Sequence, residues 1–383
     1  MPDSFDSDSM GTSLEGSIPS KSESRLNRLV TRLIAIWSYI HWGKIGLFGI
    51  SIFLFILAIT LMKTGASSLA PLLQDVFRVS SPANSLGFGW LFTYVIMSGS
   101  PVAAAALAFF DVGIIDAVST FTMITGSRLG ASFIVLFVGV IYVLRGRNWA
   151  TSLGMGLLSL VVTGSTYLFS LIIGILFLQL ELFQGIQIQS GVMVASILDA
   201  VFESLARSAA QVLPGWALFI TGFGITILSF NLFDRCLPKM TLKESQVGRL
   251  AVLVYRPMVM FVLGALITLI SMSVSVSLSL LVPLNDRGFI RRENVIPYIL
   301  GANITTFIDT LFATLLLENP AGFTIVLASM LSISVVSLVI LTTFYRRYEH
   351  MMLQFVNWIT SENRHLYIFM ALIIIAPIIL LLI

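Results

Sequence analysis

The stretch M-S-G-S-P at 97–101 recurs as M-S-V-S-V at 272–276, which is an offset of 175 residues. At the same offset and without a gap, F-G-I-S-I-F-L-F at 48–55 aligns with F-G-I-T-I-L-S-F at 223–230. Leu and Ile matches are frequent in an apolar chain, whereas matches of Pro, Gly, Thr and Asp are informative. The informative pairs are Pro82 with Pro257, Gly89 with Gly264, Thr93 with Thr268, Asp111 with Asp286 and Gly126 with Gly301. The sequence therefore predicts two transport-type repeats, at 45–145 and 220–320.

The composition is that of a membrane protein. Hydrophobic residues make up 57% of the 383 residues and charged residues only 11%, with a mean hydropathy of +0.97. A soluble domain carries about 25% charged residues, so this chain cannot cover a water-facing surface. A soluble enzyme and a disordered chain are excluded, and the single cysteine, Cys236, excludes a disulfide scaffold. The sequence predicts an all-helical polytopic protein in a lipid bilayer, without a nucleic-acid partner.

Seven apolar runs are long enough to span a bilayer, which takes about 20 residues. They are 45–62, 114–144, 150–179, 213–233, 295–317, 321–344 and 366–383. Two further apolar stretches, 83–110 and 258–284, each contain a serine cluster and a proline, and we expect re-entrant hairpins there. Segments 64–78 and 193–212 are shorter or amphipathic and are expected at the membrane surface.

The segments outside the repeats have simpler interpretations. Residues 1–24 are polar and are expected to form a disordered cytoplasmic tail. Residues 25–42 predict an amphipathic helix that lies on an anionic leaflet or packs on the bundle. Connecting helices are expected over 146–219, and C-terminal membrane helices over 321–383.

The distribution of Lys and Arg predicts the topology. With the tail in the cytoplasm and both hairpins re-entrant, Lys63, Arg78 and Arg207 lie outside, and Arg128 lies within the membrane. Of the 22 Lys and Arg residues, 22 − 4 = 18 then lie on the cytoplasmic side, in agreement with the positive-inside rule. Three crossings separate the repeats, so their topology is inverted; fully crossing hairpins would instead make them parallel.

The two serine clusters are the first candidate site. They contribute Ser98 and Ser100 from the first hairpin, and Ser273, Ser275 and Ser277 from the second. Hydroxyls both donate and accept hydrogen bonds, and a hairpin tip leaves backbone groups that only a polar cavity can satisfy. Together they can hold a small oxyanion or a sodium ion. Serine in membrane helices also serves as a small packing residue, but two clusters at matching repeat positions favour a site.

A second candidate site follows each cluster at the same spacing. It is G-S-R-L-G-A-S at 126–132, which includes Ser132, and G-A-N-I-T-T-F at 301–307, with Asn303, Thr305 and Thr306. A spanning helix broken at these motifs would direct amide donors at an anion or carbonyls at a cation. The alternative is an unbroken helix that uses small residues for packing.

Arg128 is the one cation inside a predicted span. Such residues are costly, usually face a cavity and have a partner. Arg128 either binds an anionic substrate through its planar fork, or it pairs with Asp309, the only acid in the 295–317 span. A mixed arrangement is also open, in which Asp309 orients Arg128 and the guanidinium contacts the anion.

These motifs resemble the signatures of the sodium/phosphate cotransporter family, the type II Na/Pi symporters, over roughly 45–345. That family has a Q-S-S-S hairpin and a G-A-N-I-G-T-T stretch in each half. L-G-A-N-I-T-T-F-I-D-T at 300–310 is a good match, and M-S-V-S-V-S-L-S-L-L-V-P-L at 272–284 is a fair one. M-S-G-S-P-V-A-A-A-A-L-A-F-F at 97–110 and the stretch at 126–132 match weakly.

The resemblance implies a secondary transporter that symports sodium and inorganic phosphate, the two meeting between the hairpin tips. It implies a dimer-prone, multi-pass protein of the plasma (inner) membrane, with no cofactor apart from Na+ as the coupling ion. Carried over to this chain, the sodium site comprises Ser100, Ser275, Asn303 and Thr306.

The chain departs from the family at four positions. Met97 and Met272 replace the Gln before the serines, Arg128 replaces an Asn, and Thr305 replaces a Gly. Met offers no oxygen to sodium, and a fixed guanidinium could replace the charge of a lost sodium ion. The alternatives are therefore a carrier of another oxyanion with altered ion coupling, and a transport-inactive regulatory relative.

An enzyme is not expected. The sequence contains no HExxH, GxSxG or Walker motif and no paired histidines. A membrane-embedded transferase would need its acids and histidines to converge, and here they are scattered along the chain.

Overall fold

The computed structural model describes most of the chain from residue 42 onward. The described residues are 42–77, 79, 81–146, 149–183, 185–186, 199–236, 256–286, 290–316 and 319–383. Leu47–Ile383 form one compact unit, and of the residues before it only 42–46 are described. The predicted tail at 1–24 and nearly all of the predicted amphipathic helix at 25–42 lie outside the described residues.

The described residues are predominantly helical and contain no strand. We number the α-helices in chain order. They are α1 (Trp42–Ala66), α2 (Pro82–Ile96), α3 (Gly99–Asp111), α4 (Ala117–Leu144), α5 (Trp149–Gln179), α6 (Ser204–Ala210), α7 (Gly215–Cys236), α8 (Pro257–Ser271), α9 (Val274–Ser279), α10 (Leu281–Asp286), α11 (Val295–Thr305), α12 (Ile308–Leu316), α13 (Pro320–Thr343), α14 (Tyr345–Ser361) and α15 (Asn363–Leu382).

Seven described helical segments are long and apolar enough to cross a membrane, which is the architecture of a multi-pass membrane protein. They are Gly43–Leu69, Ala117–Leu144, Leu153–Gln179, Gly215–Phe233, Arg292–Leu315, Pro320–Thr343 and Asn363–Leu382. Each overlaps one of the seven predicted runs, so the prediction of seven long apolar helices is confirmed.

The stretch 82–111 forms two short helices with a break between them. Helix α2 begins at Pro82 behind the capping hydroxyl of Ser81 and ends at Met97, whose φ of 56° is left-handed. Helix α2 runs parallel to α4, since Leu86 contacts Gly126 and the ring of Tyr94 packs against that of Phe133 further along.

Helix α3 returns along α4 in the opposite direction. It begins at Gly99, against Ser127 and Ala131 near the midpoint of α4, and ends at Asp111, close in sequence to where α4 begins. The chain therefore runs to mid-length of α4 and back again.

The stretch from 257 repeats this arrangement. Helix α8 also has 15 residues, begins with a proline, and ends at a left-handed methionine, Met272, with φ 47°. A Cβ added to Gly89 would overlap the carbonyl of Met123, and one added to Gly264 would overlap that of Tyr298. This glycine contact in one half thus matches its counterpart 175 residues away.

Helices α1 and α7, which correspond at the 175-residue offset, pack antiparallel. Gly65 lies against Gly215, Ala58 against Gly222, and Ser51 against Ser229, so the numbers rise along one helix as they fall along the other. Each serine hydroxyl in the last pair donates to the other residue's carbonyl, at 2.7 and 2.8 Å.

The two motif-bearing helices differ in continuity. Helix α4 is unbroken from Ala117 to Leu144, so the expected break at 126–132 is wrong. Gly126 and Gly130 instead let α4 approach the backbone of α2 closely. In the second half, α11 ends at Thr305 and α12 begins at Ile308, so a turn directly follows the G-A-N-I motif.

Helix α14 follows α13 and precedes α15 along the chain, and it is amphipathic. Its buried side chains, Tyr348, Met352, Val356 and Ile359, follow helical spacing. The Tyr348 hydroxyl lies 2.7 Å from that of Ser165 on α5. Helix α15 then packs antiparallel to α2, where the Asn84 amide donates to the carbonyl of Leu381 at 3.0 Å.

Candidate functional site

The two serine-bearing breaks contact the same stretch of α4. Gly99 packs against Ala131, and the Ser275 hydroxyl lies 3.5 Å from the carbonyl oxygen of Ala131. Ala131 lies near the middle of α4. The starts of α3 and α9 therefore meet the same residue at mid-length of a long apolar helix.

A buried ion pair lies one turn before Ala131 on α4. Nη2 of Arg128 donates to Oδ1 of Asp309 at 3.0 Å, and both side chains are 1% exposed. Nη1 of Arg128 lies 3.4 Å from the Ser100 hydroxyl, and Cζ lies 5.2 Å from the ring centre of Phe307. In the part of the chain that the structure describes, Arg128 and Asp309 are the only buried charged side chains.

Thr310 joins this pair and was not among the predicted site residues. Its hydroxyl accepts a hydrogen bond from Nη2 of Arg128 and donates to Oδ1 of Asp309 at 2.8 Å. The sequence offered one clue, because Thr310 directly follows the predicted Asp309 in the best-matching motif.

Several polar atoms around the pair have no hydrogen-bond partner among the described residues. They are Nε of Arg128, Oδ2 of Asp309 and the Thr306 hydroxyl, all buried. Native proteins pair most buried polar groups, so such atoms need an explanation. They are the atoms of this region that are free to bind a ligand.

Asn303 contacts α5 rather than the serine clusters. Its side-chain amide donates to the Thr163 hydroxyl at 3.3 Å, and its backbone carbonyl accepts a hydrogen bond from the Tyr167 hydroxyl at 3.1 Å. Thr163 and Tyr167 belong to a long apolar run, and nothing in the sequence marked them.

Other predicted site residues bond within their own repeat. The Thr305 hydroxyl donates to the Ala265 carbonyl at 2.8 Å, and Ser277 lies 2.8 Å from the Tyr298 hydroxyl. The Ser132 hydroxyl donates to the Leu129 carbonyl of its own helix. Ser273 caps α9 by accepting a hydrogen bond from the Val276 amide. Ser98 occupies the same N-cap position before α3, but its side chain makes no capping hydrogen bond.

The four residues of the expected sodium site have different partners. Ser100 bonds to Arg128, Ser275 to the Ala131 carbonyl, and Asn303 to Thr163, while the Thr306 hydroxyl is unpartnered. No two of the four therefore share a hydrogen-bond partner, and the sodium site stays a prediction.

A cleft of about 520 Å³ lies away from the ion pair. It is bounded by the end of α3 at Phe110, the start of α4 at Ala117, the end of α5 near Phe177 and the start of α13 at Ala321. Arg128 lies 11 residues along α4 from Ala117, which is about 16 Å at 1.5 Å per residue. The cleft is thus a feature of the helix ends.

Comparisons with family models, with curated proteins and with solved structures found no match to this chain. The class that its fold defines is that of a multi-pass helical membrane protein.

Proposed function

We propose that the protein is a secondary transporter of a small inorganic oxyanion, built from two repeats of inverted topology. The antiparallel packing of α1 on α7 supports inversion, because repeats related by an axis in the membrane plane place equivalent helices antiparallel. The matching breaks at Met97 and Met272 support two re-entrant hairpins.

The backbone at the hairpin tips also favours a functional site. Among the described non-glycine residues, only Met97, Glu181 and Met272 have a positive φ. Left-handed non-glycine residues are strained and cluster where function requires them. Two of the three lie at equivalent repeat positions, next to the serine clusters.

Arg128 is the observation that carries the substrate class. Its buried guanidinium lies beside Ser100 in the first turn of α3, where free backbone amides and the helix dipole favour an anion. A planar fork binds tetrahedral oxyanions well. Phosphate is the first candidate, with sodium as the coupling ion, from the resemblance of 272–284 and 300–310 to the sodium/phosphate cotransporters.

The test is uptake of radiolabelled phosphate into proteoliposomes, with sodium, proton and potassium gradients compared. We expect uptake driven by the sodium or the proton gradient, and none driven by potassium. Arg128→Lys should abolish uptake while the protein still folds, because an ammonium cannot reproduce the fork. Arg207→Lys is the matched control, since Arg207 is exposed and, among the described residues, pairs with Glu203 of its own segment.

A transport-inactive relative is the second candidate. It is favoured by the observation that Nη2 of Arg128 is already occupied by Asp309 and Thr310. Phosphate binding to the purified protein without uptake under any gradient would support it over the carrier.

A further inference from the structure

The buried pair of Arg128 and Asp309 uses only part of the bonding capacity of each partner. Arg–carboxylate pairs are frequently bidentate, with two parallel hydrogen bonds. Here one carboxylate oxygen, Oδ1, receives the donors, while Oδ2 and Nε have no partner. Both groups are therefore suited to exchange their present partner for another.

Charge balance restricts what can bind. The pair is neutral, and it comprises the only buried charged side chains among the described residues. An anion alone would leave a net negative charge in a site of low dielectric, where uncompensated charge is costly. An anion and a cation that enter together leave the site neutral.

We propose that the Arg128–Asp309 ion pair opens when ligands bind, so that Arg128 binds the substrate anion and Asp309 binds the coupling cation. One monovalent oxyanion takes the place of the Asp309 carboxylate on the guanidinium, and one monovalent cation takes the place of the guanidinium on that carboxylate. This inference rests on the proposed function, since it assigns the charges that bind at the same site.

The fold places the two partners on separate elements. Arg128 lies in the unbroken α4, whereas Asp309 lies in the first turn of α12, a nine-residue helix. The turn at Thr306 and Phe307 separates α12 from α11, so α12 can move without bending a continuous helix. The unpartnered Thr306 hydroxyl in that turn offers the cation a further oxygen.

Few other groups among the described residues influence the exchange electrostatically. Within that part of the chain, Tyr167 on α5 is a titratable side chain that lies close to both partners. From α3 the site receives the Ser100 hydroxyl, and the only acid of α3, Asp111, pairs with Lys63 of α1 at 2.9 Å. Helix α13, which packs on α12, has no ionisable residue in its sequence.

The experiment measures binding of inorganic phosphate to the purified wild-type protein in two series. One varies Na+ at fixed pH, and the other varies pH in potassium buffer without Na+, with affinity expressed per concentration of the phosphate monoanion. Because binding linkage is reciprocal, one cation taken up per anion predicts an approximately tenfold gain in affinity per tenfold rise in that cation, below its saturation. The responding series identifies the cation as Na+ or H+.

Each result decides the matter. Phosphate affinity that is independent of both cations overturns the exchange, even if uptake into proteoliposomes is observed. Cation-dependent binding without uptake supports the exchange and counts against the carrier function. Absence of phosphate binding under every condition overturns both.

A variant provides the second arm. Asp309→Asn removes the charge that the cation must balance, so its phosphate affinity should change less than twofold over a tenfold range of cation concentration. Asp111→Asn is the matched control and should retain the wild-type dependence. Retained dependence in Asp309→Asn overturns the exchange; if that variant does not fold, the wild-type titrations decide alone.

Discussion

Replacing Gly264 by alanine tests the packing that brings the second break to the site. An added Cβ would lie 2.7 Å from the carbonyl carbon of Tyr298 and 2.8 Å from its Cα, where ordinary contact begins at 3.4 Å. Helices α8 and α11 would have to separate by at least 3.4 − 2.7 = 0.7 Å. Overpacking of this kind costs about 1–3 kcal/mol, of which the helix preference of Ala offsets up to about 1 kcal/mol. We expect a net loss of about 1–2 kcal/mol.

The assay is thermal unfolding of the purified protein, followed by tryptophan fluorescence. Gly224→Ala is the matched control, because it makes the same change within a long apolar helix and its Cβ would meet nothing within 4 Å. Its stability should equal or exceed that of the wild type. Gly89→Ala, the counterpart in the first repeat, should behave like Gly264→Ala. Equal melting temperatures for Gly264→Ala and Gly224→Ala would refute the close packing of α8 on α11.

Three other predictions concern single side chains. Arg128→Gln and Asp309→Asn should each lose about 3–5 kcal/mol of stability, because each leaves a buried charge unpaired, and the double variant should recover most of that loss in thermal unfolding. Thr306→Val should leave the resting fold as stable or more stable, since the lost hydroxyl has no partner, yet weaken phosphate binding about ten- to hundredfold if that hydroxyl bonds to a charged ligand; unchanged affinity would remove Thr306 from the site. Burial and the nearby Glu293 raise the pKa of Glu349 above 4.5. Folding stability is therefore lost as the pH rises from the ordinary pKa of a glutamate to that raised pKa, and the loss is complete above it, so Glu349→Gln should raise the melting temperature at pH 8 but not at pH 4.

Hydropathy predicted the seven long helices because an apolar run of about 20 residues has few alternatives to a membrane helix. The serine clusters also marked both helix breaks to within a residue, since the left-handed positions Met97 and Met272 directly precede them. The continuity of α4 was not predictable in the same way. Glycine at 126 and 130 is equally compatible with a break and with close approach to a neighbouring helix, and only the position of α2 decides between them.

The site was predicted in part. Arg128 and Asp309 could be found because charged residues are rare in apolar spans and need partners. The contributions of Thr163 and Tyr167 could not be found, because a hydroxyl in an apolar helix bonds readily to its own backbone. The hydroxyls of Ser132 and Ser329 do so here. Which hydroxyls face a neighbouring helix depends on helix rotation, which a run of apolar residues does not specify.

The two predicted repeats share the helix breaks after α2 and α8 but differ in charge. At the offset of 175, Arg128 corresponds to Asn303 and Asp309 corresponds to Ile134, so each half contributes one member of the pair and lacks the other. An ion pair within one repeat would move as a unit with that repeat and would not respond to transport. A pair that joins the two repeats must lengthen or break when one moves against the other. In the proposed carrier, the Arg128–Asp309 distance is therefore linked to the conformational cycle, and ligands that separate the pair also favour that movement.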